Sequence, residues 1–204
     1  MRLVLNALGS EGFGAYEVDW KQPMPLGRRV SDPPSGMLVP GFVDLHIHGA
    51  FGLDFMSASK QDLEVLCQRL ADEGYEGFLP TTVTASLSQV NQVLSSLPDD
   101  EMVLGFHLEG PFINRQMAGA QPPGLIADPP DGPSEWDLVL DHPALKVVTL
   151  APELPHATEL VRMRSPRRRS PISITSCGPR ISRVSRRSSR TRKPRTTTSS
   201  SRST

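Results

Sequence analysis

The chain has 204 residues with 22 basic and 22 acidic side chains, so its formal net charge is zero. Residues 162–204 carry 13 Arg, one Lys and no acid, which leaves residues 1–161 strongly acidic. Two cysteines exclude a disulfide framework, and the lack of a run of about 18 apolar residues argues against a membrane span. We find no secretory signal pattern, so we expect no membrane partner and a cytoplasmic location.

Residues 1–36 contain short apolar runs separated by Gly and Pro clusters. The runs at residues 3–5 and 16–18 are typical of short strands. We interpret residues 1–36 as strands of a small accessory β domain.

Residues 37–161 alternate between strand and helix patterns. The pattern predicts strands over residues 37–48, 78–84, 103–109 and 145–150, with helices near 59–74, 90–97 and 135–140. Such alternation builds a parallel sheet, and polar residues at the carboxyl ends of its strands fit a barrel. The predicted fold class is therefore α/β, a partial (β/α)8 TIM-type barrel comprising the first four strand units.

Two imidazoles and one carboxylate at predicted strand ends indicate a metal site. His46 and His48 are two residues apart on one strand, so both rings project from the same face. Glu109 ends a later strand, and a divalent ion accepts both imidazole nitrogen and carboxylate oxygen. Asp44 shares the face of the two histidines, where orienting a ligand and capping the strand end are both open roles. For His107, orienting or packing is favoured over direct ligation.

Four motifs give the chain a family resemblance. They are the strand at residues 40–49, the run His-Leu-Glu-Gly-Pro-Phe at 107–112, Ala-Gly-Ala-Gln at 118–121 and Thr-Leu-Ala-Pro-Glu at 149–153. Over residues 37–161 the chain resembles the N-acetylglucosamine-6-phosphate deacetylase family of the amidohydrolase superfamily. That family hydrolyses the acetamido group of its sugar phosphate, releasing glucosamine 6-phosphate and acetate in amino-sugar catabolism.

The resemblance also implies roles for particular residues. Glu109 would be the principal metal ligand, and His46 and His48 match the pair that holds a second ion in some members. Ala120 and Gln121 would contact the substrate sugar. The implied cofactor is one or two divalent ions, zinc or iron, and the implied assembly is a homodimer.

The chain departs from this family after residue 159. The resemblance requires two later His ligands and a late Asp that acts as general acid and base, yet residues 160–204 contain no Asp, Glu or His. No catalytic residue is therefore assigned, and we expect this polypeptide to be inactive. The Arg-, Ser-, Pro- and Thr-rich segment at residues 162–204 is expected to be a disordered tail that arose from a frameshift.

Two other functions stay open from the sequence. One is a different amidohydrolase acting on another amide. The other is a non-enzymatic, truncated product whose basic tail retains nucleic acid non-specifically through phosphate contacts.

Overall fold

The computed structural model describes residues 3–19, 21 and 26–164. The first elements form an antiparallel sheet in the order β1 (Leu3–Gly9), β2 (Gly12–Val18) and β3 (Leu26–Arg29). Tyr16 of β2 is 1% exposed, and its hydroxyl donates a hydrogen bond to the Gly12 carbonyl at 2.8 Å. The short strands predicted near the amino terminus are confirmed and are longer than the sequence pattern indicated.

The rest of the described chain alternates strands with helices. In chain order the elements are β4 (Phe42–Ile47), β5 (Gly49–Ala50), β6 (Leu53–Asp54), α1 (Lys60–Asp72), β7 (Tyr75–Pro80), α2 (Leu87–Ser96), β8 (Phe106–Glu109), α3 (Asp137–Leu140), β9 (Leu145–Thr149) and α4 (Ala157–Arg164). The predicted α/β alternation is confirmed.

The longer strands of this region run parallel to one another. β4 pairs with β7, and β8 pairs with β9. Between these two pairs, parallel bridges join Phe78 to Val103 and Thr81 to His107. The strands therefore follow one another in the order β4, β7, β8, β9, so their carboxyl ends lie along a common edge.

Three strand boundaries differ from the sequence prediction. The first parallel strand begins at Phe42 rather than residue 37, because Met37 bridges to Asn6 of β1 instead. The second ends at Pro80 rather than residue 84, and the third begins at Phe106. Gly105, just before that third strand, has a φ of 139°, which lies outside the extended conformation of a β-strand, so the strand begins only at the next residue.

Helix α1 follows its sequence pattern closely. The Ser59 side chain accepts from the Asp62 backbone N–H while the Asp62 carboxylate accepts from the Ser59 N–H, so the helix begins with a capping box. The chain leaves the helix through Gly74, whose φ is 91°. The predicted apolar face is buried; its members are Leu63, Leu66, Cys67 and Leu70.

Two apolar clusters pack against different strands of the parallel set. One joins the buried face of α1 to Phe55 and Phe78. The other packs residues of α2, α3 and α4 around Phe106, Leu108 and Val148. The helices are therefore held to the strands by burial of apolar surface.

The outer face of β4 is the exception to this packing. Val43 and Leu45 are 54% and 56% exposed, and only Ile47 reaches the α1 cluster. The helix layer predicted behind this strand is therefore missing over its first half, because no described element lies against that face.

The described chain ends in α4, which runs past the predicted tail boundary. Arg164 contacts Asp141 and places its other guanidinium nitrogen 2.7 Å from Asp137, so residues 162–164 are helical rather than part of a tail. Residues 165–204 of the predicted tail lie outside the described residues. Among the described helices, none is long and apolar enough to cross a membrane.

Candidate metal centre

The predicted ligands meet at the carboxyl edge of the parallel strands. His46 lies in β4, His48 directly follows that strand, and Glu109 is the last residue of β8. One ligand atom from each residue lies within 4.8 Å of the other two. The structure thus brings together the three residues that the sequence predicts as ligands.

The distances within this cluster are short. His46 Nε2 and His48 Nε2 are 3.1 Å apart. Glu109 Oε2 lies 3.1 Å from His48 Nε2 and 3.7 Å from His46 Nε2. Two atoms that each coordinate one ion at about 2.0–2.2 Å stand about 3–3.5 Å apart, so the spacing is close to that of a shared metal ion.

The orientation of His48 is set by a backbone carbonyl. His48 Nδ1 lies 3.1 Å from the carbonyl oxygen of Thr81. A carbonyl only accepts, so Nδ1 carries a proton, and in the neutral form of the ring Nε2 presents its lone pair to the cluster. A backbone partner of this kind fixes the tautomer and the ring plane of a metal-binding histidine.

The Glu109 carboxylate completes an arrangement of acceptors. Its Oε2 atom is buried and makes no hydrogen bond to any residue that the structure describes, although His48 Nε2 is 3.1 Å away. A buried oxygen without a donor is unfavourable, and a facing imidazole lone pair adds to that cost. A divalent cation bound between these atoms would satisfy all of them, so the residues fit a metal ion.

His107 lies beneath the ligands rather than among them. It is 3% exposed, and its ring contacts that of His46 edge to face at a centroid distance of 4.9 Å. Burial is the main cause that lowers the pKa of His107 to about 4; His46 adds to the shift, and the hydrogen bond that the ring donates to the Leu45 carbonyl opposes it. The ring is therefore neutral near pH 7, in agreement with the predicted orienting or packing role.

Asp44 contacts the backbone rather than an imidazole. Its Oδ1 accepts from the His46 N–H at 3.0 Å. Of the two roles that the sequence left open, the structure thus shows a local backbone contact at the strand end.

Sequence reasoning missed a set of buried threonines around the site. Thr82 Oγ1 accepts from the Glu109 N–H at 3.2 Å, and Thr81 Oγ1 accepts from the Ile47 N–H at 3.1 Å. Thr149 Oγ1 lies 2.7 Å from His107 Nε2. The only signal in the sequence is the density of Thr within the predicted strand at residues 78–84, which is also typical of an ordinary β segment.

The two predicted sugar-contacting residues lie on the loop after β8. Ala120 is exposed, whereas Gln121 is half-buried and its Oε1 accepts from the Thr84 N–H at 2.7 Å. This bond ties the loop to the segment that follows β7. Contact of Ala120 and Gln121 with a sugar stays a prediction.

The cluster is open on one side. The side chains of His46 and His48 are 48% and 40% exposed, whereas that of Glu109 is 15% exposed. A bound ion would therefore be held from below by a buried carboxylate and could be reached from solvent on the imidazole side. Together, the parallel strands and this cluster define an α/β protein in which His46, His48 and Glu109 could hold a divalent ion.

Relatives with this class of fold are amino-sugar phosphate deacetylases. The chain is 38% identical over 154 residues to an N-acetylglucosamine-6-phosphate deacetylase of Bacillus subtilis, a match covering 68% of this chain and 37% of that relative. It is 33% identical over 148 residues to an N-acetylgalactosamine-6-phosphate deacetylase of Escherichia coli O157:H7, covering 69% and 39%. No protein-family model matches.

The solved structures that resemble this chain are also of N-acetylglucosamine-6-phosphate deacetylases. The Thermotoga maritima N-acetylglucosamine-6-phosphate deacetylase superposes with a TM-score of 0.64 at 28% identity, covering 85% of this chain and 48% of that chain. A Mycobacterium smegmatis mutant in complex with N-acetyl-D-glucosamine-6-phosphate gives 0.58 at 26% identity, covering 85% and 49%. The resemblance predicted from the motifs is confirmed, although this chain spans under two fifths of the curated relatives it matches.

Proposed function

We propose that this chain is the metal-binding part of an N-acetylglucosamine-6-phosphate deacetylase on a (β/α)8 scaffold. The observation that carries the proposal is the buried Glu109 oxygen, which has no hydrogen-bond donor within the described part of the chain and faces two imidazole nitrogens. Curated relatives with this enzyme's name supply the chemical class. The four parallel strands would be the first half of the barrel, with β1–β3 as an accessory domain.

In this proposal His46, His48 and Glu109 hold the divalent ion, with zinc or iron as the favoured metals. Such an ion polarises an amide carbonyl and lowers the pKa of a bound water, which are the two requirements of amide hydrolysis. The residues of this chain bind and orient the ion, and the buried carboxylate contributes the negative charge. In the same proposal Gln121 and Ala120, on the loop after β8, contact the sugar.

The proton-transfer step has no candidate in this polypeptide. The relevant Asp is expected from later in the fold, and residues 160–204 contain no carboxylate. We therefore expect the 204-residue chain alone to release little or no acetate from N-acetylglucosamine 6-phosphate. Dimer formation, the cytoplasmic location and tail binding to nucleic acid stay predictions.

A chimera tests the proposal. Residues 37–161 of this chain would replace the matching segment of the Bacillus subtilis relative, so that the later residues come from an intact enzyme. We expect acetate release from N-acetylglucosamine 6-phosphate with zinc or iron, and its loss on Glu109→Gln. A folded, metal-loaded chimera that hydrolyses only unrelated amides would contradict the proposed substrate.

A second substrate belongs in the same assay. Because one relative is an N-acetylgalactosamine-6-phosphate deacetylase, the epimeric sugar phosphate is the sharpest competitor. Three of the four proteins compared above carry the glucosamine name, so we expect N-acetylglucosamine 6-phosphate to have the higher kcat/KM. A preference for the galactosamine substrate would redirect the proposal without changing the reaction.

A further inference from the structure

A chain of hydrogen bonds passes beneath the metal ligands and joins β9 to β4. His107 Nδ1 lies 3.2 Å from the carbonyl oxygen of Leu45, the residue before His46. His107 Nε2 lies 2.7 Å from Thr149 Oγ1. Both ring nitrogens of this buried residue therefore have partners, one on each side of the ligand cluster.

The chemistry of the partners fixes the direction of these bonds. The Leu45 carbonyl only accepts, so His107 Nδ1 donates its proton to it. The neutral ring then presents a lone pair at Nε2, and the Thr149 hydroxyl must donate to it. Thr81 Oγ1, at 3.5 Å from Nδ1, already donates to the Leu79 carbonyl at 3.0 Å and does not compete for this role.

The same two residues are linked to Glu109 through the sheet. Thr149 pairs with Glu109 in the register of β8 and β9, and the Gly110 N–H donates to the Thr149 carbonyl at 3.2 Å. His107 stands two residues before Glu109 on the same face, and its ring supports that of His46. Movement of the His107 ring would therefore displace a ligand on each side.

We propose that Thr149, acting through His107, is a positioning residue that holds β4 and β8 at the spacing the metal ion requires. This rests on the proposed metal site and adds two residues to it that contact neither ion nor substrate. Removing the Thr149 hydroxyl leaves Nε2 of a buried ring without its donor, and the ring is then free to leave the Leu45 carbonyl. Loss of such outer partners typically lowers metal affinity about 10- to 100-fold.

The test is a Co²⁺ titration of the 204-residue chain, followed by its visible absorption, on matched variants. Thr149→Val keeps the shape but loses the hydroxyl, whereas Thr149→Ser keeps the hydroxyl. Thr84→Val is the control, because Thr84 is 1% exposed and its hydroxyl makes no hydrogen bond within the described residues. We expect Thr149→Val to weaken Co²⁺ binding about tenfold or more, with Thr149→Ser and Thr84→Val close to wild type.

The outcomes separate this inference from the proposed function. Wild-type chain that fails to bind Co²⁺ contradicts the metal site itself. Wild-type binding with equal affinity in Thr149→Val overturns the positioning role alone, as does an equal loss in Thr84→Val. Thermal unfolding of the metal-free variants shows whether Thr149→Val lowers the stability of the chain in general. If only packing mattered, Thr149→Ser would not restore the affinity for Co²⁺.

A spectroscopic measurement covers the case in which Thr149→Val fails to fold. Two-bond ¹H–¹⁵N correlation spectra of the wild-type chain report which nitrogen of His107 carries the proton. The proposal requires the neutral Nδ1–H form near pH 7. An Nε2–H form would reverse the bond to Thr149 and lose the bond to the Leu45 carbonyl, which cannot donate, and it would overturn the inference.

Discussion

At the scale of single residues, the centre is defined by acceptors that face one another. Glu109 Oε2 and the Nε2 atoms of His46 and His48 converge, and the Thr81 carbonyl fixes the ring of His48 with its lone pair inward. Such convergence is unfavourable in the absence of a cation. Metal binding is therefore expected to stabilise the folded chain, because the unfolded chain lacks this geometry.

The charge of Glu109 carries the first prediction. Glu109→Gln keeps the shape of the side chain but removes the negative charge, so zinc affinity should fall by more than the 10- to about 100-fold typical of outer partners. Glu101→Gln, at an exposed position, is the matched control and should bind zinc as wild type does. Competition with a chromophoric chelator measures both affinities, and equal affinities would remove Glu109 from the ligand set.

The burial of His107 carries the second prediction, which concerns pH. The pKa of His107 is lowered from 6.5 to about 4 in the folded chain, so the unfolded chain binds its proton first as pH falls. The stability that the neutral His107 imidazole contributes to the folded chain is fully present above about pH 6.5 and is lost progressively towards pH 4.

A variant isolates this contribution from the carboxylates that titrate in the same range. The free energy of unfolding of wild type, from urea titrations with chelator present, should approach that of His107→Gln as pH falls through this window. Parallel curves for the two proteins would contradict the assignment of a buried neutral imidazole.

At the residue scale, the sequence predicted which three side chains lie together but not the residues that support them. His46, His48 and Glu109 could be found because strand periodicity and position at a strand end place them on one face. Thr81 and Thr149 could not, because their role depends on which strands become neighbours. That information resides in long-range pairing, not in local pattern.

At the scale of elements, helix α1 is held by one buried face. Leu66 is fully buried, whereas its neighbour Val65 is 49% exposed. Leu66→Ala should therefore destabilise the chain by about 2–5 kcal/mol through lost burial and a residual cavity. Val65→Ala, one position along, should change stability by less than about 1 kcal/mol. Urea unfolding measures both, and similar values would contradict the observed orientation of the helix.

The helices were more predictable than the strands for a local reason. A capping box at Ser59 marks the start of α1 in the sequence itself, whereas the capping box at Ser86 was missed and α2 begins at Leu87 rather than at residue 90. The ends of the strands depend on pairing and on backbone conformation. Met37 bridges to β1, and Gly105, just before β8, has a positive φ. The alternation of polar and apolar residues along the sequence could not predict either effect.

At the scale of the whole molecule, β4 is the weak point of the fold. Its outer edge has no strand partner among the described residues, and Phe42, Val43 and Leu45 are each more than half exposed. An apolar strand with a free edge is a template for association with other chains. The free edge of β4 agrees with a chain that spans only part of the length of its relatives.

This exposed strand carries a further prediction. Leu45→Lys adds a charge on the outward face and should reduce concentration-dependent light scattering of the purified chain. Leu138→Lys is the control, since Leu138 is 75% exposed but lies on a helix. Equal reduction by both variants would show that net charge, rather than the β4 edge, governs association.

The central claim is that His46, His48 and Glu109 share one divalent ion. X-ray absorption at the zinc edge, on the chain loaded with one equivalent, tests it most directly. We predict two imidazole nitrogens and at least one oxygen at about 2.0–2.2 Å, with the imidazole signature lost in the His46→Gln, His48→Gln double variant. A shell without imidazole in the wild-type chain, or an unchanged spectrum in the double variant, would contradict the account.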